Sequence, residues 1–200
     1  MLKLGQYSPK DKMTKIQDDI QTQCIEVLQK LINTSSFSKE EDKAAEVIRK
    51  FLKSKKIAFE TWPICYQNII SQEQINYMLD LMYSLNSLRN QLTEKKHVFI
   101  LAKEEEIYVG FASFEINAEL NKTKLHKLYV LPEIQGKNIG KQLIKFVEDC
   151  ALEEGQEAVF LNVNKNNPAI KFYERMNYKV SNQIVINIGN GYVMDDYIMK

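Results

Sequence analysis

The chain is poor in the residues from which several kinds of site are built: two histidines, three cysteines, four prolines, seven glycines and one tryptophan in 200 residues. Cys24, Cys65 and Cys150 are odd in number, far apart and without metal-type spacing. They argue against a disulfide framework and suit a reducing compartment, each thiol acting as a small apolar group. His97 and His126 are too few, and without His-Asp pairing, to build a dinuclear zinc centre, so no metal is expected. Charge of one sign is missing as well. Twenty-seven Lys plus Arg against 26 Asp plus Glu leave a net charge of +1, so no global field favours nucleic acid or an anionic membrane. No apolar run approaches the roughly 20 residues of a membrane span, and MLKLGQYSPKDKMTK lacks a signal-peptide core. A cytoplasmic protein is expected.

What is present, 200 residues of which 44% are hydrophobic, fits one domain of ordinary size, or one domain with an added segment. Residues 1–15 read as a polar lead-in. Ile20, Cys24, Val27, Leu28 and Leu31 recur at helical spacing. A second helix follows Ser36 or Ser38, carries Ala44, Val47, Ile48 and Phe51, and ends in the cationic KSKK, where lysines suit the negative end of the dipole. IAFETW, 57–62, reads as a short strand or extended segment. SQEQINYMLDLMYS opens with Ser71 and Gln74 in capping-box spacing and continues as an amphipathic helix with a Met78–Met82 stripe expected in the core. From His97 the period changes to two, and HVFILA, IYVGFASFEI and KLHKLYVL read as an antiparallel meander. A helix from Gly140 to a stop at Gly155, a strand AVFLNV, a helix opened by Pro168, and two strands joined by Asn190-Gly191 complete the chain.

The stretch LYVLPEIQGKNIGKQL, 128–143, carries the chemistry. A strand ending at Pro132 and a helix starting at Gly140 leave a loop whose backbone N–H groups face one concavity beside a positive helix end, a setting that binds phosphate. Gly136 and Gly140 allow close backbone approach, and Lys137 and Lys141 add flexible positive charge. A nucleotide P-loop is excluded: only Lys137, Asn138 and Ile139 separate the glycines, and Gln142 stands where a magnesium-binding hydroxyl belongs. The dinucleotide fingerprint G-x-G-x-x-G is absent too. The other reading is a strand-to-helix turn that binds nothing.

These residues resemble the GNAT superfamily of N-acetyltransferases over about residues 62–200. QGKNIG matches the acyl-CoA loop pattern Q/R-x-x-G-x-G/A at Gln135 and Gly140, with Asn138 in place of the middle glycine. NKNNPAIKFYERMNYKV follows N-x-x-A-x-x-F-Y-x-x-x-G-F at Asn166, Ala169, Phe172 and Tyr173, with Asn177 for the glycine and Tyr178 for the last aromatic. Asn is the residue after glycine that best tolerates positive φ. The resemblance implies an α/β (α+β) fold, a mixed and mostly antiparallel central sheet flanked by helices, with an N-terminal helical extension. It implies an N-acetyltransferase that moves an acetyl or small acyl group from acetyl-CoA to a small-molecule or peptide amine by direct attack. The pantetheine arm would pair with Leu128, Tyr129 and Val130. The pyrophosphate would take N–H groups from Gln135, Gly136, Lys137, Asn138, Ile139, Gly140 and Lys141. Asn166 would hydrogen-bond the cofactor, and Tyr173 would protonate the leaving thiolate. Glu115, Glu133 and His126 are each open as the base. Trp62, Tyr66, Tyr77 and Tyr83 read as an acceptor pocket or as core.

Residues 26–60 resemble the opening helices of zinc-dependent aminoacylase and deacetylase-type peptidases but stop before any metal ligand, so hydrolysis does not follow. The expected organisation is a lead-in at 1–15, a helical segment at 16–60 and the acyltransferase domain at 61–200. Either KIAFETW supplies the first strand of that domain or the N-terminal helices are an added element. Two other classes stay open: an acyl-CoA-binding sensor, and an interaction protein that recruits a partner through residues 16–60. An edge strand such as YVMDDYIM would allow a homodimer.

Overall fold

The computed structural model describes residues 38–84, 86–87, 90–91 and 94–200, with side chains from residue 52 onward. The expected lead-in, the helix expected over 16–31, and Cys24 lie outside the described residues. Two compact units divide the chain, Met1–Leu52 and Lys53–Lys200, and the second holds everything that follows.

Its first element is the C-terminal part of α1, Ser38–Tyr66. The strand expected at IAFETW is therefore a helix. Ser54, Ile57, Ala58, Thr61 and Trp62 are all buried, and Cys65 half-buried, which is the i, i+3, i+4, i+7 recurrence of one helical face. Ile57 and Ala58 are adjacent and both inward, which a strand forbids because neighbours alternate. The lysines of KSKK lie within the helix instead of closing it. The helix α2, Gln72–Tyr83, starts where expected, with the Ser71 hydroxyl accepting from Gln74 N–H. The Gln74 side chain does not turn back to complete a capping box; its Nε2 donates to Val193 O at 3.0 Å.

Six strands follow: β1 Val98–Glu104, β2 Ile107–Glu119, β3 Lys122–Val130, β4 Ala158–Asn164, β5 Val180–Gly189 and β6 Tyr192–Met199. They form one sheet in the order β1-β2-β3-β4-β6-β5, in which β3 and β4 alone run parallel. This is the mixed, mostly antiparallel α/β sheet flanked by helices that was expected. The meander and the Asn190-Gly191 hairpin are both present, with φ of 53° and 77° at the turn. Helix α3, Ile139–Glu153, lays Leu143, Ile144, Val147 and Ala151 on one face of the sheet, against Ala112, Phe114, Leu125, Leu161, Val163 and Met199. Each large aliphatic side chain withdrawn from water there contributes about 1.5–3 kcal/mol. The short helix α4, Ile170–Arg175, adds Tyr173 to the same cluster. On the opposite face α1 and α2 meet the sheet through the Trp62–Tyr129 ring contact at 5.9 Å and the Gln74–Val193 bond. No helix among the described residues is long and apolar enough to cross a membrane.

Candidate active site

The site begins where two parallel strands part. β3 pairs with β4 from Lys122↔Ala158 to Leu125↔Leu161 and no further, while β4 from Leu161 to Asn164 keeps β6 on its other edge. Among the described residues, 126–130 of β3 keep β2 on one side and have no paired strand on the other. The β2–β3 register slips at the same point: Ser113 faces Lys127 and Phe114 faces Leu125, which leaves His126 as the extra residue of a bulge. Bulges re-aim side chains and turn a strand away from its neighbour. A backbone edge left open in this way needs a partner, and an extended chain can supply one.

Two cavities open on this gap. One, of about 380 Å³, lies on the α1–α2 side and is lined by Tyr66, Met78, Lys124, His126, Lys127 and Asp196. The other, of about 680 Å³, is lined by Gly136, Asn138, Ile139, Gly140, Lys141 and Phe172. Leu128, Val130, Gln135, Asn167 and Tyr173 border both, so the two meet along the open edge of β3.

The larger cavity is walled by the loop singled out in the sequence. Gly136 has φ of 90° and Asn138 φ of 64°, so Asn138 takes the left-handed conformation that the missing glycine would take. Asn138 is also the N-cap of α3, and its carbonyl accepts the first helical bond, from Gln142 N–H at 3.0 Å. The side chain makes no capping bond, so the first-turn amides of a 15-residue helix remain donors toward the cavity. Gly140 sits under the Phe172 ring; a Cβ there would lie 3.4 Å from it. Lys137 is drawn away toward β1, where its Nζ meets both Glu104 carboxylate oxygens at 3.1 and 3.2 Å. Gln135 folds back, its Nε2 donating to Val130 O at 3.2 Å on the open edge.

Tyr173 is placed between the cavities by α4, whose start is organised by Asn167: its Oδ1 accepts from Ala169 N–H at 2.8 Å. The phenol is buried, packed edge-on against Phe172 and Tyr178, and burial first, then the nearby Tyr66, push its pKa well above the ordinary value. It keeps its proton at any working pH. Asn166 is exposed and outside the lining of both cavities, its N–H donating to Asn164 Oδ1, while its neighbour Asn167 lines both.

The four aromatics named for an acceptor pocket divide evenly. Trp62 and Tyr66 line the smaller cavity with ring centroids 4.7 Å apart. Tyr77 donates to Ile188 O at 2.7 Å, and Tyr83 is buried beneath the Lys127 ammonium; neither lines either of these two cavities. Met78 and Met82, read as core, border the smaller cavity.

Of the three open bases, Glu133 is exposed on the turn Pro132–Ile134, outside both cavities. Glu115 and His126 are joined, His126 Nε2 to Glu115 Oε2 at 2.9 Å, and His97 stacks on His126 at 4.0 Å. Burial, chiefly, and then three lysines push His97 down to about 4; burial, His97 and the same lysines push His126 to about 2. A neutral His126 that contacts a carboxylate must carry its hydrogen on Nε2. The ligand-type atoms of His97, Glu115 and His126 lie within 4.8 Å of one another, but the lysines around them, Lys95, Lys124 and Lys127, oppose a second cation.

Two buried ionisable groups on the smaller cavity escaped the sequence reading. Lys127 is buried, donates to Gln91 Oε1 and lies over the rings of Tyr83 and Phe99; burial, then Lys95, push it down to about 7. Asp196 is buried, and desolvation, then Asp195, raise it to about 6. The signal for Asp196 was the alternation of VMDDYI: Met194 and Ile198 share its phase, so an acid there points where an apolar residue is expected.

Residues 56–178 match the Acetyltransferase (GNAT) family. A spermidine N(1)-acetyltransferase of Thermoplasma acidophilum is 30% identical over 129 residues, 62% of this chain and 79% of that one. An aminoalkylphosphonate N-acetyltransferase of Salmonella typhimurium is 32% identical over 97 residues, 46% of this chain and 62% of its own. Among solved structures, the PaiA N-acetyltransferase of Thermoplasma acidophilum in complex with coenzyme A superposes with a TM-score of 0.63 at 28% identity, over 76% of this chain and 91% of that one.

Proposed function

The chain belongs to the GNAT acetyltransferase family, an N-acetyltransferase that uses acetyl-CoA, and on that premise we propose that the two cavities divide the reaction between donor and acceptor. The larger cavity takes the CoA side. Its fit rests on three features of this chain: the open edge of β3 at Leu128–Val130, the first-turn amides of α3, and the left-handed Asn138 that lets the loop close. A pantetheine arm pairs with the open edge once the Gln135 amide yields the Val130 carbonyl, and the pyrophosphate accepts from the loop amides Gly136–Lys141. Lys141 is left to add charge, since Lys137 is engaged by Glu104.

The smaller cavity takes the amine. Attack on the thioester carbonyl breaks the C–S bond, and Tyr173, bordering both cavities, donates its proton to the departing thiolate. Burial keeps the phenol protonated until the thiolate forms, and the same raised pKa makes it a weak acid, which limits its expected effect on rate. The acceptor is a small aliphatic amine, and spermidine is the first to try because a relative is named for it. The observation that carries the reading is the parting of β3 from β4, with Tyr173 at the junction of the two cavities. Thiol release from acetyl-CoA, followed over a panel of mono- and polyamines, tests it. Tyr173→Phe is expected to lower kcat by about 10²-fold, toward the low end of general-acid effects because a thiolate leaves readily, with acetyl-CoA affinity unchanged. A Phe variant with full kcat would remove Tyr173 from the chemistry.

A further inference from the structure

Asp195 and Asp196 are neighbours on β6, and strand alternation sends them to opposite faces. Asp195 is exposed and meets Lys165 Nζ at 2.5 Å. Asp196, 6% exposed, turns toward the α1–α2 side and lines the smaller cavity. Its Oδ1 is buried and has no hydrogen-bond partner among the described residues. A buried carboxylate oxygen is seldom left this way, because the water it gave up is not replaced. The groups that act on it are Lys124 from β3, Lys165 after β4, Asp195 on its own strand and Tyr66 from α1. Neither lysine forms an ion pair with it among the described residues; Lys165 is taken by Asp195, and Lys124 lies over the Phe160 ring.

We propose that Asp196 is the proton acceptor for the attacking amine: its free carboxylate oxygen receives the acceptor's ammonium group and removes one proton from it. This rests on the donor and acceptor assignment above. The acceptor class that follows is an aliphatic amine that arrives as an ammonium ion. The protons balance. Asp196 takes the first from the ammonium, and the neutral nitrogen bonds to the carbonyl carbon. The C–S bond breaks, and the thiolate takes the Tyr173 proton. The second nitrogen proton restores the phenol, and Asp196 returns its proton to solvent, a net release of one.

His126 is the competing base in the same cavity. Its Nε2 already donates to Glu115 and its ring resists protonation, whereas the Asp196 carboxyl is held at about 6, close to working pH, where general-base catalysis is most effective.

The test is steady-state acetylation of spermidine by acetyl-CoA from pH 5 to 9 with the wild type, Asp196→Asn and His126→Gln. In the wild type kcat/KM is expected to fall below a limb near pH 6. Asp196→Asn is expected to lower kcat by about 10²- to 10⁴-fold and to lose that limb, while calorimetry gives unchanged acetyl-CoA affinity and the melting temperature shows a folded protein. His126→Gln is expected to retain the limb. The proposal is overturned if Asp196→Asn keeps the limb, if it raises KM for spermidine with kcat intact, or if the limb disappears with His126→Gln instead. A wild type that binds acetyl-CoA but acetylates neither spermidine nor any other amine of the panel contradicts the functional reading itself, and this proposal with it.

Discussion

Lys127 shows how a single side chain on this sheet reports its surroundings. Its ammonium is buried under two aromatic rings with Gln91 as acceptor, and burial brings its folded pKa from 10.5 to about 7. Between those values the unfolded chain binds a proton that the folded one does not, so stability rises with pH from about 7 upward and is flat below. The melting temperature is therefore expected to climb between pH 7 and 9, and Lys127→Met is expected to flatten that climb. A wild-type profile that is level or falling there would contradict the buried placement. At this scale the sequence was legible where a residue type alone carried the message. Asn138 and Asn177 sit at φ of 64° and 68°, the two positions where Asn stands for a glycine. Lys127 was hidden because inward direction depends on strand phase, and the bulge at His126 shifts the phase along β3; for Asp196 the alternation of VMDDYI gave the phase, but which face is covered is set by long-range packing.

At the scale of elements, the meander, the final hairpin and α3 could be read from period and turn residues, because each pattern lies within one continuous stretch. The end of α1 could not. A six-residue window rich in aromatic and β-branched residues looks like a strand, and the helical recurrence emerges only when Ser54 is aligned with Cys65. The two assignments differ in a measurable way. Ala58 is fully buried and Ile64 is half-exposed on the same helix. Ala58→Asp is expected to destabilise by about 3 kcal/mol or more in urea titration, since it buries a charge with no partner, and Ile64→Asp by about 0.5 kcal/mol or less. Equal losses would return the segment to an extended form. The loop before α3 admits a similar check: Asn138→Gly should leave stability within about 1 kcal/mol, whereas Asn138→Val should cost about 1–2 kcal/mol because a β-branched residue resists positive φ.

At the scale of the molecule, the gap between β3 and β4 organises everything else, and it was the part least legible from sequence. The strands are parallel and far apart in sequence, so where their pairing begins and ends is set by long-range packing, and the two diverge after Leu125↔Leu161. That divergence leaves one backbone edge open, with the α3 amides at one end of it, Asp196 and His126 at the other, and Tyr173 between them. The central claim is that the end walled by the Gly136–Lys141 loop holds the CoA pyrophosphate. It is tested most directly by titrating the protein and its Gly140→Glu variant with acetyl-CoA in a calorimeter. An added Cβ at Gly140 meets Phe172 at 3.4 Å, and a carboxylate in a helix's first turn suits the dipole, so the variant should fold. Binding in the micromolar range by the wild type, and loss of about 10²-fold or more in the variant as carboxylate meets pyrophosphate, is the predicted result. Equal affinity of the two proteins, or no binding by the wild type, would contradict the account.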